Sequence, residues 1–245
     1  MELRRLHPDP APVTTEEVTS GMRLAELAPP DRPYLVLNMV ATLDGRIAIG
    51  GRSGPIGNRA DREIFHGLRT QVDAVMAGAG TVRTERYGRM IKNDELRARR
   101  VGEGLADDPI AVVVSGRLQL PVDLPLLQDP ASHVVVCTAS ADDPPDAAAR
   151  LEVLRGGTEL APFMRELRAR YGVRTVLCEG GPSLNGDLLR EGLVDELFLA
   201  LAPKLAGGDP LTLVSGAALE PPIEWDLISI LESEDNLFLR YRRKR

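Results

Sequence analysis

Apolar residues follow two different patterns along this chain. Strands are predicted at residues 34–38, 74–77, 110–114, 133–137 and 175–178, because each segment is built on a continuous apolar run, which is typical of strands buried on both faces of a sheet. Apolar residues spaced three or four positions apart, which indicate amphipathic helices, lie between several of these runs. Strands and helices that alternate in this way predict an α/β fold with a mixed, mainly parallel sheet and helices on both faces.

The clearest helical pattern follows Asn58, a residue type that caps helix N-termini. A helix that begins there is expected to bury four apolar side chains, which are Ile64, Phe65, Leu68 and Val72. A further helix is predicted over residues 161–171, and a short one over residues 185–191. Residues 44–57 contain five glycines and are expected to form a long loop, which in compact domains is often functional.

The two ends of the chain depart from the alternating pattern. Residues 1–32 are rich in proline and predict an N-terminal arm with one helical turn near residues 15–25, followed by a single domain over residues 33–245. Beyond Gly192 the pattern predicts strands only, and these lie at residues 196–201, 211–214, 225–232 and 236–241. The last two are expected to form an antiparallel pair that closes the sheet.

Composition excludes several functional classes. The 245 residues carry 30 Lys and Arg against 36 Asp and Glu, and the net charge of −6 argues against a nucleic-acid binder with a broad basic surface. The three histidines are scattered and predict no metal site, and the two cysteines each end an apolar run, as reduced core thiols do. Because no apolar run approaches 18 residues and no secretory signal occurs, we expect a cytoplasmic protein without a membrane segment.

Two glycine turns provide the first chemical signal. One contains Gly180 and Gly181, the other contains Gly78 and Gly80, and each follows a predicted strand. Glycines at a turn between a strand and a helix let backbone amides face outward, where the helix N-terminus adds positive partial charge. Such turns bind phosphate groups, so the pair indicates a nucleotide cofactor.

Basic residues provide the second signal. They cluster around the glycine turn that contains Gly78 and Gly80. One precedes this turn and the others follow it: Arg69, Arg83, Arg86, Arg89 and Lys92. In an acidic protein such a cluster suits a phosphate monoester, and a solvated charged face is the alternative. Ser115 and Arg117 follow the predicted strand at 110–114 and are candidates for binding the ribose 2′-phosphate that distinguishes NADP from NAD.

The motifs of common enzyme classes are missing from the sequence. No Ser/His/Asp or Cys/His set stands out, and Arg83 occupies the position of the third glycine in a G-x-G-x-x-G fingerprint. An ordinary Rossmann dehydrogenase is therefore disfavoured. Phosphate-binding turns without a nucleophile or a metal fit direct hydride transfer, in which the cofactor supplies the chemistry and the protein supplies orientation.

Three segments together resemble a known family. Residues 38–48 are similar to its first signature, residues 61–69 with 73–82 to its second, and residues 179–184 with 194–196 and 203–208 to its third. The family is the reductase domain of riboflavin biosynthesis, of the RibD/RibG C-terminal type. The resemblance covers roughly residues 33–243. It implies the dihydrofolate-reductase-like fold, NADPH as cofactor and a homodimer that forms through the C-terminal strands.

The resemblance also implies roles for individual residues. Catalytic roles fall to Asp44 and Glu179, with Asp44 on the nicotinamide side. Cofactor contacts fall to Ala41, Thr42, Gly78, Gly80, Thr81, Val82, Gly180, Gly181, Ser183 and Leu184, with Ser115 and Arg117 as the 2′-phosphate candidates. Substrate contacts fall to Asn38, Arg69, Arg89, Lys92 and Glu179. The implied reaction reduces the ribosyl group of 5-amino-6-(5-phosphoribosylamino)uracil to a ribityl chain by hydride transfer to C1′.

Two departures from the family pattern leave alternatives open. Residues 85–90 differ from the run that faces the substrate in many members, and the sequence lacks the H-x-E and P-C-x-x-C motifs of the fused deaminase. We therefore expect a stand-alone reductase of a phosphorylated pyrimidine. The alternatives are a reductase of a related pterin, such as dihydrofolate, and a non-catalytic NADP-binding protein. Convergence of Arg69 and Lys92 on one pocket would favour the phosphorylated substrate.

Overall fold

Eleven strands form one sheet in the computed structural model, which describes residues 1–208 and 211–244. The strands are β1 (Glu2–His7), β2 (Ala11–Thr14), β3 (Tyr34–Thr42), β4 (Ala74–Gly78), β5 (Ile110–Val114), β6 (His133–Thr138), β7 (Arg150–Arg155), β8 (Thr175–Cys178), β9 (Glu196–Ala202), β10 (Trp225–Ser233) and β11 (Asn236–Arg243). Their order across the sheet is β2-β1-β10-β11-β9-β3-β8-β4-β5-β6-β7. The strands from β9 to β7 are parallel, and β2, β1, β10, β11 and β9 pair antiparallel. The predicted mixed, mainly parallel sheet with an antiparallel C-terminal pair is therefore confirmed.

Helices cover both faces of the parallel part. They are α1 (Thr15–Val18), a 3-10 turn at Leu24–Leu27, α2 (Arg59–Arg69), α3 (Ala79–Thr84), α4 (Asp94–Gly102), α5 (Pro125–Gln128), α6 (Leu160–Tyr171) and α7 (Pro182–Arg190). Successive residues of a strand point to opposite faces, so Val36 packs in the core cluster that contains Ile64 of α2. Leu35 packs in the second cluster, with Phe163 of α6 and Leu188 of α7. Asn58 caps α2 as predicted, because its side chain accepts a hydrogen bond from the Asp61 N–H.

The first residues of the chain extend the sheet, which the sequence analysis did not predict. β1 pairs with β10, with Arg4 opposite Glu232, and β2 lies at the edge. Proline disfavours central strands, and the edge position of β2 tolerates Pro12 for this reason. The helical turn expected near residue 15 is confirmed as α1, where Thr14 and Glu17 form a capping box. The division between residues 1–32 and a domain over residues 33–245 stays a prediction.

Three local predictions are wrong. Residues 211–214 do not form a strand, and the Leu213 carbonyl instead accepts a hydrogen bond from Asn185. Phe65 is not buried in the core beneath α2 and lines a cavity on the other side of the helix. The edge strand β7 was missed because Arg150, Glu152 and Arg155 interrupt its apolar residues.

The parallel strands place their carboxyl ends at one edge of the sheet. β3, β8 and β4 are neighbours there, and each is followed by a segment singled out in the sequence. The loop at 44–57 follows β3, and the two glycine turns follow β4 and β8. In open α/β sheets ligands bind at the carboxyl ends of the strands. Within residues 1–208 and 211–244, no helix is long and apolar enough to span a bilayer.

Candidate functional site

A cavity of about 950 Å³ opens at the carboxyl ends of β3, β4 and β8. Its walls come from the glycine turns, from α2, from the loop at residues 51–54 and from residues 84–93. Asn38, Arg69, Arg89, Lys92 and Glu179, the five predicted substrate residues, all line it. The fold therefore brings the predicted substrate residues and the glycine turns to one place.

The two glycine turns contact each other directly. The Gly78 N–H donates a 2.8 Å hydrogen bond to the Gly180 carbonyl, and Gly180 has a φ of +88°, which favours glycine. A Cβ on Gly181 would lie 2.9 Å from the Thr81 hydroxyl oxygen, so any other residue at this position would require the Thr81 side chain to move. No side chain caps α7 at Gly181, which leaves amides at the helix start for an anionic ligand.

These observations fit the pyrophosphate of a dinucleotide such as NADPH. Six of the predicted cofactor residues line the cavity, namely Gly78, Gly80, Thr81, Gly181, Ser183 and Leu184. Val82 is buried in the core, and Gly180 is covered by Met39. Ser115 and Arg117 lie outside this cavity after β5, the strand next to β4. Their predicted contact with a 2′-phosphate stays a prediction.

Asp44 does not join the other predicted catalytic residue at the cavity wall. Its carboxylate accepts hydrogen bonds from the Thr42 hydroxyl at 2.5 Å and the Gly207 N–H at 2.7 Å. These bonds, led by that from Thr42, lower the pKa of Asp44 to about 2. Thr42 and Ala41 are buried and, like Asp44, are not among the cavity-lining residues. Asp44 thus fixes the turn after β3 to residues 206–207, and its catalytic role stays a prediction.

Arg69 and Glu179 form a buried, bidentate ion pair. The Arg69 Nε and Nη2 donate to the two Glu179 oxygens at 2.7 and 2.8 Å, and the Tyr87 hydroxyl donates to Glu179 Oε2 at 2.6 Å. The guanidinium also donates to the Met90 carbonyl and stacks 4.3 Å from the centre of the Phe65 ring. Burial together with the charge of Glu179 raises the pKa of Tyr87 well above its usual value. Both charged side chains are therefore held by protein groups and shape the cavity wall.

Most of the predicted basic cluster is paired with acids. Arg86 binds Asp123 at 2.9 Å, and Arg89 binds Asp108 at 2.9 Å. The Lys92 ammonium, in contrast, forms no hydrogen bond or ion pair within the described parts of the chain, and it lies beside Gly88 in the cavity. Of the cluster members that line the cavity, Lys92 is therefore the one whose charge is available to a ligand.

Several cavity residues were not predicted as site residues. Among them are Asp61, Arg62, Phe65, His66 and Tyr87. Asp61 and Phe65 precede Arg69 by eight and four residues, the spacing of one helix face, so the position of Arg69 could have revealed them. Burial raises the pKa of Asp61 to about 6. Burial, followed by the charge of Arg69, lowers the pKa of His66.

The long loop at 44–57 is held over the site by four hydrogen bonds. The Lys204 ammonium donates to the Pro55 and Ile56 carbonyls at 2.7 and 2.8 Å. The Ser53 N–H and hydroxyl both donate to Glu85 Oε1. The loop prediction is confirmed, and its anchors show why Ser53 and its neighbours form one wall of the cavity.

Comparison with known proteins agrees with this geometry. A sequence model of the RibD C-terminal domain matches residues 33–239. A 2,5-diamino-6-ribosylamino-4(3H)-pyrimidinone 5′-phosphate reductase of Methanothermobacter thermautotrophicus is 35% identical over 196 residues, which are 77% of this chain and 87% of that protein. A protein of the same name from Archaeoglobus fulgidus is 33% identical and covers 76% of this chain and 87% of its own length.

Two solved structures share the fold. A pyrimidine reductase-like protein from Corynebacterium diphtheriae superposes with a TM-score of 0.78 at 23% identity and covers 95% of this chain and 100% of its own. A deaminase/reductase from Thermotoga maritima superposes with a TM-score of 0.72 at 21% identity and covers 87% of this chain and 57% of its own. The α/β fold expected from the resemblance is thus confirmed.

Proposed function

This chain belongs to the RibD C-terminal domain family, and we propose that it reduces the ribosyl group of a phosphoribosylaminopyrimidine with NADPH. The reductase names of its relatives support an oxidoreductase that acts on such a pyrimidine. The observation that carries the proposal is that Lys92 and Arg69 line the same cavity as the two glycine turns. A cationic side chain that can bind phosphate lies in the same cavity as turns that can bind a dinucleotide. This arrangement suits a phosphorylated substrate that reacts with a nicotinamide.

The glycine turns and the start of α7 hold the cofactor in this proposal. Gly78, Gly80 and Thr81 line the cavity next to Gly181 and Ser183, and their backbone amides and hydroxyls suit phosphate oxygens. Ser115 and Arg117 are proposed to bind the 2′-phosphate. When bound, NADPH supplies the hydride that forms the new C–H bond at C1′ of the ribosyl group.

Lys92 is proposed to bind the substrate phosphate, and Arg69 to position the wall around it. Lys92→Ala removes one charge-assisted hydrogen bond, which is worth about 1.5–3 kcal/mol, so KM should rise roughly 10- to 100-fold with little change in kcat. Lys244→Ala is the matched control, because Lys244 pairs with Glu224 away from the cavity. An unchanged KM in Lys92→Ala would refute this phosphate assignment.

An NADPH-oxidation assay tests the function itself. The substrates are the phosphorylated and dephosphorylated ribosylaminopyrimidines and dihydrofolate. We expect oxidation with the phosphorylated compounds and a much higher KM without the phosphate. Oxidation with dihydrofolate alone would favour the pterin reductase, and binding of NADPH without oxidation of any compound would favour the non-catalytic alternative.

We also propose that the protein is a cytoplasmic homodimer that forms through its C-terminal strands. Leu197 and Leu199 on β9 and Leu237 and Leu239 on β11 are only half-buried, and Leu199 lies opposite Leu239. A half-buried leucine face on paired strands suits contact with a second copy. Light scattering behind size-exclusion chromatography would give twice the mass of 26.6 kDa for a dimer.

A further inference from the structure

Asp61 differs from the other carboxylates that line the cavity. Glu179 accepts hydrogen bonds from Arg69 and Tyr87, and Glu85 accepts them from Ser53. The Asp61 carboxylate accepts no hydrogen bond and forms no ion pair with any residue in 1–208 or 211–244. Its oxygens are therefore available to a ligand that donates hydrogen bonds.

Asp61 and Arg69 lie at opposite ends of α2, and Arg62, the neighbour of Asp61, also lines the cavity. Asp61 lies in the first turn of α2 and Arg69 in the last, and both line the cavity. Eight residues of helix correspond to about 12 Å along its axis. A substrate with an anionic group near Lys92 and Arg69 would thus extend its other end along α2 towards Asp61.

The loop at 44–57 closes over this carboxylate. A Cβ on Gly57 would lie 2.0 Å from Asp61 Oδ2, so the loop backbone packs directly against the acid. Burial of a carboxylate without a partner is unfavourable unless a ligand supplies hydrogen bonds. A ligand edge with two adjacent N–H donors would satisfy both oxygens.

We propose that Asp61 binds the 2-amino group and the adjacent ring N–H of a 2-amino-4-oxopyrimidine and selects that ring over its deaminated uracil counterpart. The uracil ring presents a carbonyl oxygen in place of the 2-amino group, and this oxygen would face the carboxylate without a proton between them. A site built to accept a hydrogen bond from a substrate rejects an analogue that lacks the donor. The inference rests on the proposed function and names the ring on which the reductase acts.

Asp61→Asn tests the inference by changing the hydrogen-bonding pattern without changing side-chain size. The amide accepts from a ring N–H through Oδ1 and donates to a carbonyl through its NH2 group, which matches uracil. Steady-state kcat/KM is measured with the diaminopyrimidinone and the aminouracil, both as the ribosyl 5′-phosphates. The ratio should shift towards the uracil by roughly 100-fold or more.

Glu85→Gln is the matched control, because Glu85 lines the same cavity but is bonded to Ser53. Its ratio of kcat/KM should equal that of the wild type. An unchanged ratio in Asp61→Asn, or a shift in Glu85→Gln instead, would overturn the assignment of Asp61 and leave the proposed reductase intact.

A binding measurement separates this inference from the reaction. The rise in Tm caused by each ring compound is compared between the wild type and Asp61→Asn, without NADPH. If neither compound is reduced but the diaminopyrimidinone stabilises only the wild type, the proposed function fails and the role of Asp61 stands. If the two proteins respond equally to both compounds, the role of Asp61 is refuted.

Discussion

Asp61→Asn should stabilise the protein at neutral pH while it weakens selection of the substrate. Burial raises the pKa of Asp61 from 3.8 to about 6, so the folded protein holds the proton more tightly than the unfolded chain does. Between these two values the unfolded chain binds fewer protons, and stability therefore falls as pH rises. Asparagine resembles the protonated acid in size and charge, so the variant does not carry this ionisation cost.

The magnitude follows from the shift in pKa. About two pKa units at 1.36 kcal/mol each give about 3 kcal/mol of destabilisation in the wild type at pH 8. The same linkage gives about 1 kcal/mol of destabilisation at pH 4.5, and this destabilisation vanishes below the pKa that Asp61 has in the unfolded chain. The free energy of unfolding of Asp61→Asn relative to the wild type should therefore increase by about 2 kcal/mol from pH 4.5 to pH 8, or about 4–8 °C in Tm.

Urea unfolding at pH 4.5, 6 and 8 measures this difference directly. Asp143→Asn controls for the loss of one negative charge, because Asp143 is exposed between β6 and β7 and lies outside the cavity. A difference in free energy of unfolding that stays constant with pH would refute the ionisation cost. A difference that grows towards low pH would show that the pKa of Asp61 is shifted in the other direction.

Two further predictions concern the cavity wall. Arg69→Ala should lower the free energy of unfolding by about 3–5 kcal/mol, because it leaves the charge of Glu179 buried without a cation. Urea unfolding should show that Arg69→Ala combined with Glu179→Ala loses less than the sum of the single variants. Gly181→Ala should raise the Kd for NADPH at least about tenfold, equal to 1.4 kcal/mol, because the added methyl group meets Thr81. Fluorescence titration measures this Kd. An equal effect of Gly157→Ala, whose added methyl group meets nothing within 4 Å, would contradict the prediction.

Local sequence signals predicted the scaffold of the site well. The continuous apolar runs predicted β3, β4, β5, β6 and β8, and a cap residue marked the start of α2. Glycines marked the two turns, because Gly180 has a φ of +88° and a side chain on Gly181 would meet the Thr81 hydroxyl. These features depend on residues near in sequence, or on a steric requirement that one residue type meets.

The electrostatic part of the site could not be predicted in the same way. Arg86 and Asp123 are 37 residues apart, and Arg69 and Glu179 are 110 residues apart. Nothing in the type of a residue identifies a partner at such a distance, so all five cations of the basic cluster looked equally suited to phosphate. The same limit hid Asp61, whose importance comes from the hydrogen bonds that it does not form.

The chemistry of the cavity therefore depends on the charges that the fold leaves unpaired. The Arg69–Glu179 pair is nearly neutral as a unit, and its bonds to Tyr87 and Met90 make it a rigid wall. Among the described residues that line the cavity, Lys92, Arg62 and Asp61 form no ion pair, and the charge of Arg62 acts on its neighbour Asp61. A ligand that binds both Lys92 and Asp61 must carry an anion at one end and N–H donors at the other. A phosphoribosylaminopyrimidine with a 2-amino group has this arrangement, whereas a free nucleobase or an inorganic phosphate satisfies only one of the two groups.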